Sequence, residues 1–226
     1  KNGDTSAQAV QVTPTGVNRI GTKLSTFAQI DGIDNPLDVD IAIIDTGIDK
    51  RHSDLRVVGG VNFTSGDRTN FNDGNGHGTH VAGTAAAKDN GIGVVGVAPG
   101  ARLHAVKVLN SAGTGTLSGL IAGIDWVTSR ASIIEVANMS LGFSEDPAQP
   151  SATHDAIKRS VALGVVYVAA AGNSNADTAG FAPASYEEVI AVSAIADSDG
   201  LSGHLGPSTS FGEDDTLASF SNFGSA

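Results

Sequence analysis

With 226 residues, 40% of them hydrophobic, the chain can bury one sizeable core, and it is read as a single domain over residues 1–226. Thirteen basic against 24 acidic side chains leave a net charge of −11, which argues against nucleic acid and anionic membranes, since both attract basic surfaces. Cysteine is missing, so disulfide and thiol chemistry are excluded, and no apolar run reaches the ~18 residues that a membrane span needs.

In chain order, the sequence opens on Lys1 with no charged-then-apolar leader, as expected if a leader and pro-segment were removed or if the chain was begun here. Residues 1–25 are polar and rich in turn formers. Residues 39–45 are a short apolar run of the buried-strand type. Over 76–87 a glycine-rich loop passes into an Ala- and Val-rich stretch, which predicts a helix with His77 at its N-terminal end. A strand is predicted over 101–109. The spacing of Leu120, Ile121, Ile124 and Val127 predicts a helix over 117–130. A strand follows over 133–139, then a helix over 151–163 with Ser151 as N-cap. Two more buried strands are predicted over 164–171 and 189–194. Strands alternating with helices imply an α/β fold, with a mainly parallel central sheet and helices on both faces. Ligands gather at the carboxyl ends of such strands, where Asp45, 140–142 and 170–173 all fall.

A carboxylate at the lip of a buried strand is costly unless paired. Asp45 is such a group, and His77, between Gly76 and Gly78, is its candidate partner, because glycines let the backbone approach closely and turn sharply. Taken singly, each residue has an ordinary reading: Asp45 as a turn former and His77 as a solvated loop histidine. The joint pattern is more specific. Ile43-Ile44-Asp45-Thr46-Gly47-Ile48-Asp49, then Asn75-Gly76-His77-Gly78-Thr79-His80-Val81-Ala82-Gly83, reads as the Asp and His of a serine-protease triad in the order Asp, His, Ser. A serine hydroxyl needs an imidazole to take its proton and a carboxylate to orient that imidazole. A competing reading groups His77, His80 and Asp73 as ligands of a metal-dependent hydrolase, although the His-Glu-x-x-His spacing of zinc proteases does not occur.

On these motifs the chain resembles the subtilisin-type serine proteases, the subtilases, from about Gln11 to Gly224. The resemblance implies a subtilisin-like fold and a secreted serine endopeptidase. Asp45 would orient His77, His77 would be the general base, and His80 would be structural. Asn173, in Ala169-Ala170-Ala171-Gly172-Asn173, would donate to the oxyanion; read alone, Gly172-Asn173 is also an ordinary turn. Two substrate edges are implied, at Gly113-Thr114-Gly115 and at Asn138-Met139-Ser140-Leu141-Gly142. There an extended peptide adds as a strand, with glycines keeping the edge clear. Leu117 stands where the family often places an aromatic rim, which implies a more open aliphatic subsite. Ala170 and Gly172, with Ser140, Leu141 and Gly142, would wall the primary pocket. Their small size implies broad specificity, with an apolar or aromatic preference before the scissile bond. The implied partners are protein or peptide substrates and a pro-segment inhibitor, the enzyme itself being a monomer.

Lys88-Asp89-Asn90-Gly91-Ile92-Gly93-Val94 resembles the family's tight calcium loop. The resemblance implies structural Ca²⁺ held by the carbonyls of Lys88, Ile92 and Val94, the Asn90 side chain, Asp54 and Gln11, an all-oxygen set that suits this ion. The plainer alternative is an Asn-Gly turn. A second, weaker site is implied at the carbonyls of Ala184, Tyr186 and Val189. Residues 197–216 carry five carboxylates, Asp197, Asp199, Glu213, Asp214 and Asp215, and a solvated acidic loop is favoured there over a cation site.

Ala218-Ser219-Phe220-Ser221-Asn222-Phe223-Gly224 matches the strand that precedes the family's nucleophile-bearing helix. The Gly-Thr-Ser-Met-Ala type segment does not occur in the 226 residues, and Ser219, Ser221 and Ser225 do not stand in its context. The expectation is a catalytic domain truncated at its C-terminus, inactive by the triad mechanism as written and exposing apolar surface where the remaining segment packs. A catalytically inactive peptide-binding fragment and a metal-dependent hydrolase are the alternatives.

Overall fold

The computed structural model describes residues 10–224. The readings that rest on Lys1 and Ser225 lie outside them. A short helix α1 (Thr15–Arg19) is followed by β1 (Asp40–Asp45), β2 (Val57–Asn62), α2 (His77–Ala86), β3 (Arg102–Lys107), α3 (Leu117–Thr128) and β4 (Val136–Met139). Then come β5 (Phe143–Ser144), α4 (Ala152–Val161), β6 (Val166–Ala170), β7 (Phe181–Ala182), β8 (Val189–Val192), β9 (Ile195–Ala196) and β10 (Thr216–Leu217). Six strands form one sheet in the order β2-β3-β1-β4-β6-β8, and every neighbouring pair is parallel. This is an α/β fold with a parallel central sheet, as expected.

The sequence of β1 explains its central place. Its side chains alternate faces, and both faces are apolar. Ile41 and Ile43 pack with Leu103 and Ala105 of β3 and with Ala82 and Ala86 of α2. Ala42 and Ile44 pack on the opposite face, in the cluster that holds Ile124 of α3 and Ile157 of α4. Burying each isoleucine contributes about 1.5–3 kcal/mol. Small alanines on α2 let it lie close to the sheet, so its first residue, His77, is carried to the end of β1.

Side chains cap α3 and α4, of which only the Ser151 cap was expected from the sequence. Thr116 accepts from Gly119 N at 3.0 Å to start α3, and Ser151 accepts from His154 N at 3.2 Å to start α4. All five predicted strands are shorter than the runs that predicted them. At 133–135 the reason is local: the N–H groups of Ile133 and Ile134 both bond to Arg130 O, so the run begins as a turn closing α3. Strand β2 was not expected from the sequence. Gly59 and Gly60 thin its pattern, and its register with β3 shifts between Val57 and Gly59. A Cβ on Gly60 would lie 2.4 Å from Ala105 O, so the glycine permits the close approach. At the other edge of the sheet, β8 exposes Ile190 (56%) and Val192 (52%), which is apolar surface of the kind that packs against further structure. No helix among the described residues is long and apolar enough to cross a membrane.

Candidate active site

The parallel sheet brings the carboxyl ends of β1, β3, β4 and β6 to one side, and the candidate residues collect there. Asp45, the last residue of β1, is fully buried. Its carboxylate accepts from Thr46 N at 2.6 Å and meets His77 Nδ1 at 2.8 Å through Oδ1 and 2.9 Å through Oδ2. A carboxylate only accepts, so Nδ1 carries the hydrogen, and in the neutral ring Nε2 is left with a free lone pair. The His77 side chain is 48% exposed and borders a cleft. A base oriented by a buried anion and open to a cleft can take a proton from a bound group.

Glycine is required where α2 meets β1. A Cβ on Gly78 would lie 2.1 Å from Gly47 O, and one on Gly47, at φ +102°, would lie 2.4 Å from Phe71 O. Gly76, the residue before the helix, has φ +104° and caps nothing with a side chain. Asp73 satisfies the orphan donors instead. Its Oδ1 accepts from the N–H groups of Asn75 and Gly76 and from the Thr46 hydroxyl; its Oδ2 accepts from Thr79 N and Thr79 Oγ1. Burial pushes the Asp73 carboxyl up, but the Thr79 hydroxyl and the N–H groups of Gly76, Asn75 and Thr79 outweigh it and bring the carboxyl down to about 2.

These bonds overturn the grouping of His77, His80 and Asp73 as metal ligands. Asp73 is engaged by hydroxyls and backbone N–H groups, His77 Nδ1 is engaged by Asp45, and these three residues form no metal-holding cluster among the described residues.

Lys107 was not singled out from the sequence. It pairs in register with Asp45, is almost wholly buried, and its Nζ donates to the carbonyls of Thr46 and Leu109. Burial pushes its ammonium down, partly offset by Asp73 and Asp45. It is the local countercharge to those two anions. The available signal was a lysine inside an otherwise apolar strand, Ala105-Val106-Lys107-Val108.

The cleft, about 660 Å³, is lined by His77 and Thr46 together with Gly113, Thr114, Gly115 and Leu117 on one wall and Ser140, Leu141 and Gly142 on the other. The two predicted edges therefore flank His77. The reason for their glycines differs from the expected one. A Cβ on Gly115 would lie 2.3 Å from Val108 O, and one on Gly142 would lie 2.3 Å from the Phe181 ring. These positions are small to fit the protein's own atoms. Gly113, at φ +75°, is open, with Asn75 Nδ2 3.8 Å from where a Cβ would be.

Ala170, Gly172 and Asn173 line a second hollow of about 330 Å³ with Asn138, Ser140 and Ser221. Ser140 borders both spaces. Asn173 is exposed at the tip of a loop that the buried Asn222 holds. Asn222 Oδ1 accepts from Ser174 N and Ala176 N, and its Nδ2 donates to Ala171 O. Sequence reasoning missed Asn222, because its partners are backbone groups about fifty residues away. Ser221 Oγ is buried, accepts from Ala194 N at 2.9 Å and donates to Asn222 O at 3.0 Å.

The residues of the 88–94 loop also come together. Asp54, nearly buried, accepts from Asn90 Nδ2 at 2.9 Å through Oδ1. Its Oδ2 faces Gly93, at φ +64°, where a Cβ would lie only 3.0 Å away. A carboxylate oxygen of this kind suits a hard cation, but Asn90 turns its Nδ2 to Asp54 while its Oδ1 accepts from Ile92 N at 3.1 Å, so the Asn90 amide would have to rotate to ligate one. The chain near Val12 lies along the loop, with Val12 N bonded to Gly93 O at 2.8 Å. Gln11 is turned differently from a ligand: its Oε1 accepts from Asn90 N and Gly91 N, and its Nε2 donates to Asp89. In this conformation it ties the segment before α1 to the loop, and coordination would need its amide to rotate. At the second candidate site, Tyr186 O already accepts from Val189 N at 3.0 Å.

An α/β sheet thus sets the half-exposed His77 imidazole against the buried Asp45 carboxylate at its carboxyl edge, beside an open cleft. The model of the Subtilase family matches residues 38–226, and the chain belongs to that family. It is 52% identical over 161 residues to subtilisin DY of Bacillus licheniformis, covering 70% of this chain and 56% of that protein. It is 42% identical over 191 residues to alkaline elastase YaB of Bacillus sp. (strain YaB), covering 84% and 47%. The crystal structure of a cold adapted subtilisin-like serine proteinase superposes with a TM-score of 0.72 at 34% identity, covering 94% of this chain and 70% of that one. The chain spans about half the length of these curated relatives.

Proposed function

We propose that this chain is the larger part of the catalytic domain of a secreted, monomeric serine endopeptidase that cleaves peptide bonds by acyl transfer. The contact of His77 Nδ1 with the buried Asp45 carboxylate, at the border of the cleft, carries the reading. In the reaction a serine hydroxyl attacks the substrate carbonyl. His77 takes that proton and returns it to the leaving amine, Asp45 holds the ring and stabilises the imidazolium, and Asn173 donates to the oxyanion. The serine comes from a segment outside residues 1–226, and Ser219 and Ser221 are not assigned the role. Substrate peptide lies between 113–115 and 140–142, with Leu117 at an outer subsite. The hollow beside Ala170 and Gly172 accepts an apolar or aromatic side chain. A pro-segment is the proposed inhibitor, and Ca²⁺ at Asp54 and the carbonyls of Lys88, Ile92 and Val94, with the Asn90 and Gln11 side chains after rotation, supplies structural stability.

The test is His77→Ala in protein that carries the complete catalytic domain. The kcat for peptide hydrolysis falls by ~10⁶-fold, the scale known for loss of the triad histidine in subtilisin itself, with an unchanged circular dichroism spectrum. Activity that survives the change removes the assignment. One observation favours a second reading for residues 1–226 taken alone: with Ser221 Oγ bonded at both ends, they hold peptide without turning it over.

A further inference from the structure

Lys107 is a buried cation to which the proposed reaction gives no part. Taking an ammonium out of water is strongly unfavourable unless the charge is met by acceptors and anions. Lys107 has both. Its Nζ donates to Thr46 O, on the turn that follows Asp45, and at 3.0 Å to Leu109 O. The charged groups that act on it are Asp73, from the loop before α2, and Asp45, from β1.

The two carbonyls belong to different parts of the site. On the turn, Thr46 N donates to Asp45 Oδ1, and the Thr46 hydroxyl donates to Asp73 and accepts from Gly78 N, one residue past His77. Leu109 lines the cleft and begins the wall that continues through Gly113, Thr114 and Gly115. Residues 110–114 close on themselves, because Asn110 Oδ1 accepts from Ala112 N and Thr114 N while Asn110 N donates to Thr114 O. The loop therefore moves as a unit, and its distance from His77 is set by its ties. Leu109 N donates to Asp45 O at 3.1 Å, Ser111 O accepts from Asn75 Nδ2 at 2.9 Å, and Lys107 binds Leu109 O. Of these ties only Lys107 carries charge. With Asp45 and Asp73 it leaves one net negative charge beside His77, and without it there would be two.

We propose that Lys107 is a positioning residue for the peptidase reaction: its ammonium pins the Asp45–Thr46 turn to the Leu109 end of the substrate wall and holds the site at a single net negative charge. This rests on the peptidase reading given above.

The experiment compares Lys107→Met and Lys107→Arg with native protein carrying the complete catalytic domain. The kcat/KM is followed against pH for an extended peptide that reaches Leu117 and for a short ester that does not. Methionine fills the space of the stem and removes the charge. The uncovered anions then favour the protonated imidazole, so the acid limb of kcat/KM moves to higher pH by roughly 0.5–1 unit. Lys107→Arg, which keeps the charge, leaves the limb in place. With its wall loosened, Lys107→Met also loses ~10-fold or more on the peptide relative to the ester. A lysine that only supports the fold lowers the rate at every pH and leaves the limb where it was; that result overturns the proposal. Native protein without peptidase activity, or activity that survives His77→Ala, overturns the peptidase reading itself. Should Lys107→Met not fold, the ¹⁵N spectrum of the native 226-residue chain at pH 7 decides. A slowly exchanging Lys107 ammonium signal supports the proposal, and a neutral amine overturns it.

Discussion

Two carboxylates bracket the start of α2 and act on it differently. Asp45 meets the imidazole, while Asp73 gathers the backbone from Asn75 to Thr79 and holds the loop that aims it. The depressed carboxyl of Asp73 has a consequence for acid stability. Its folded value, about 2, lies below the ordinary 3.8 of an unfolded aspartate. The stability it contributes is therefore fully present above about pH 4 and is lost as pH falls through about 2. Partial exposure keeps that contribution near ~1–2 kcal/mol. Asp73→Asn is expected to lower unfolding free energy by that amount at pH 7, with the gap to native protein closing by pH 2. Urea titrations at the two pH values check it, and a gap independent of pH would contradict it. Asp45 and His77 were legible in the sequence because a local pattern surrounds each. Asp73, Lys107 and Asn222 were not assigned these parts, because they act mainly on backbone groups whose positions exist only after folding.

At the scale of elements, glycines decide how closely α2, the β1 turn and the cleft walls approach. Gly78→Ala would drive a methyl to 2.1 Å from Gly47 O, against backbone that cannot yield as a flexible side chain does. Overpacking of this kind costs roughly 1–3 kcal/mol or more. The expected result is a chain less stable by that amount in thermal unfolding, with the His77–Asp45 contact lengthened. A variant as stable as native protein would show that α2 can slide away. The strands were legible in proportion to their burial. β1 reads plainly because both its faces are apolar, whereas β2 is an edge strand in which Gly59 and Gly60 remove the side chains that a pattern needs. Likewise Gly142 and Gly172 stood out, but their packing against Phe181 depends on a residue that no spacing rule connects to them.

For the whole molecule, distant segments are fastened by few contacts. The segment before α1 is held at residues 11 and 12 by the 88–94 loop, so an ion in that loop acts on this segment. Binding to the native state alone contributes about 2.7 kcal/mol when free ion is ~100 times its Kd. Chelation is expected to lower Tm, and Asp54→Asn to remove the share of that drop that the 88–94 loop supplies. An identical calcium response in Asp54→Asn would show that this loop holds no ion.

The docking of α1 on the 197–215 segment also orders events in time. Arg19 and Asp215 are 196 residues apart, and Asn18 and Gly200 are 182 apart. At ribosomal speeds of ~5–20 residues per second, roughly 10–40 s separate the appearance of α1 from that of its anchor. Throughout that interval α1 lacks this anchor, although residues 11 and 12 can already meet the 88–94 loop, so any protection of α1 from proteases must come from something other than the 197–215 segment.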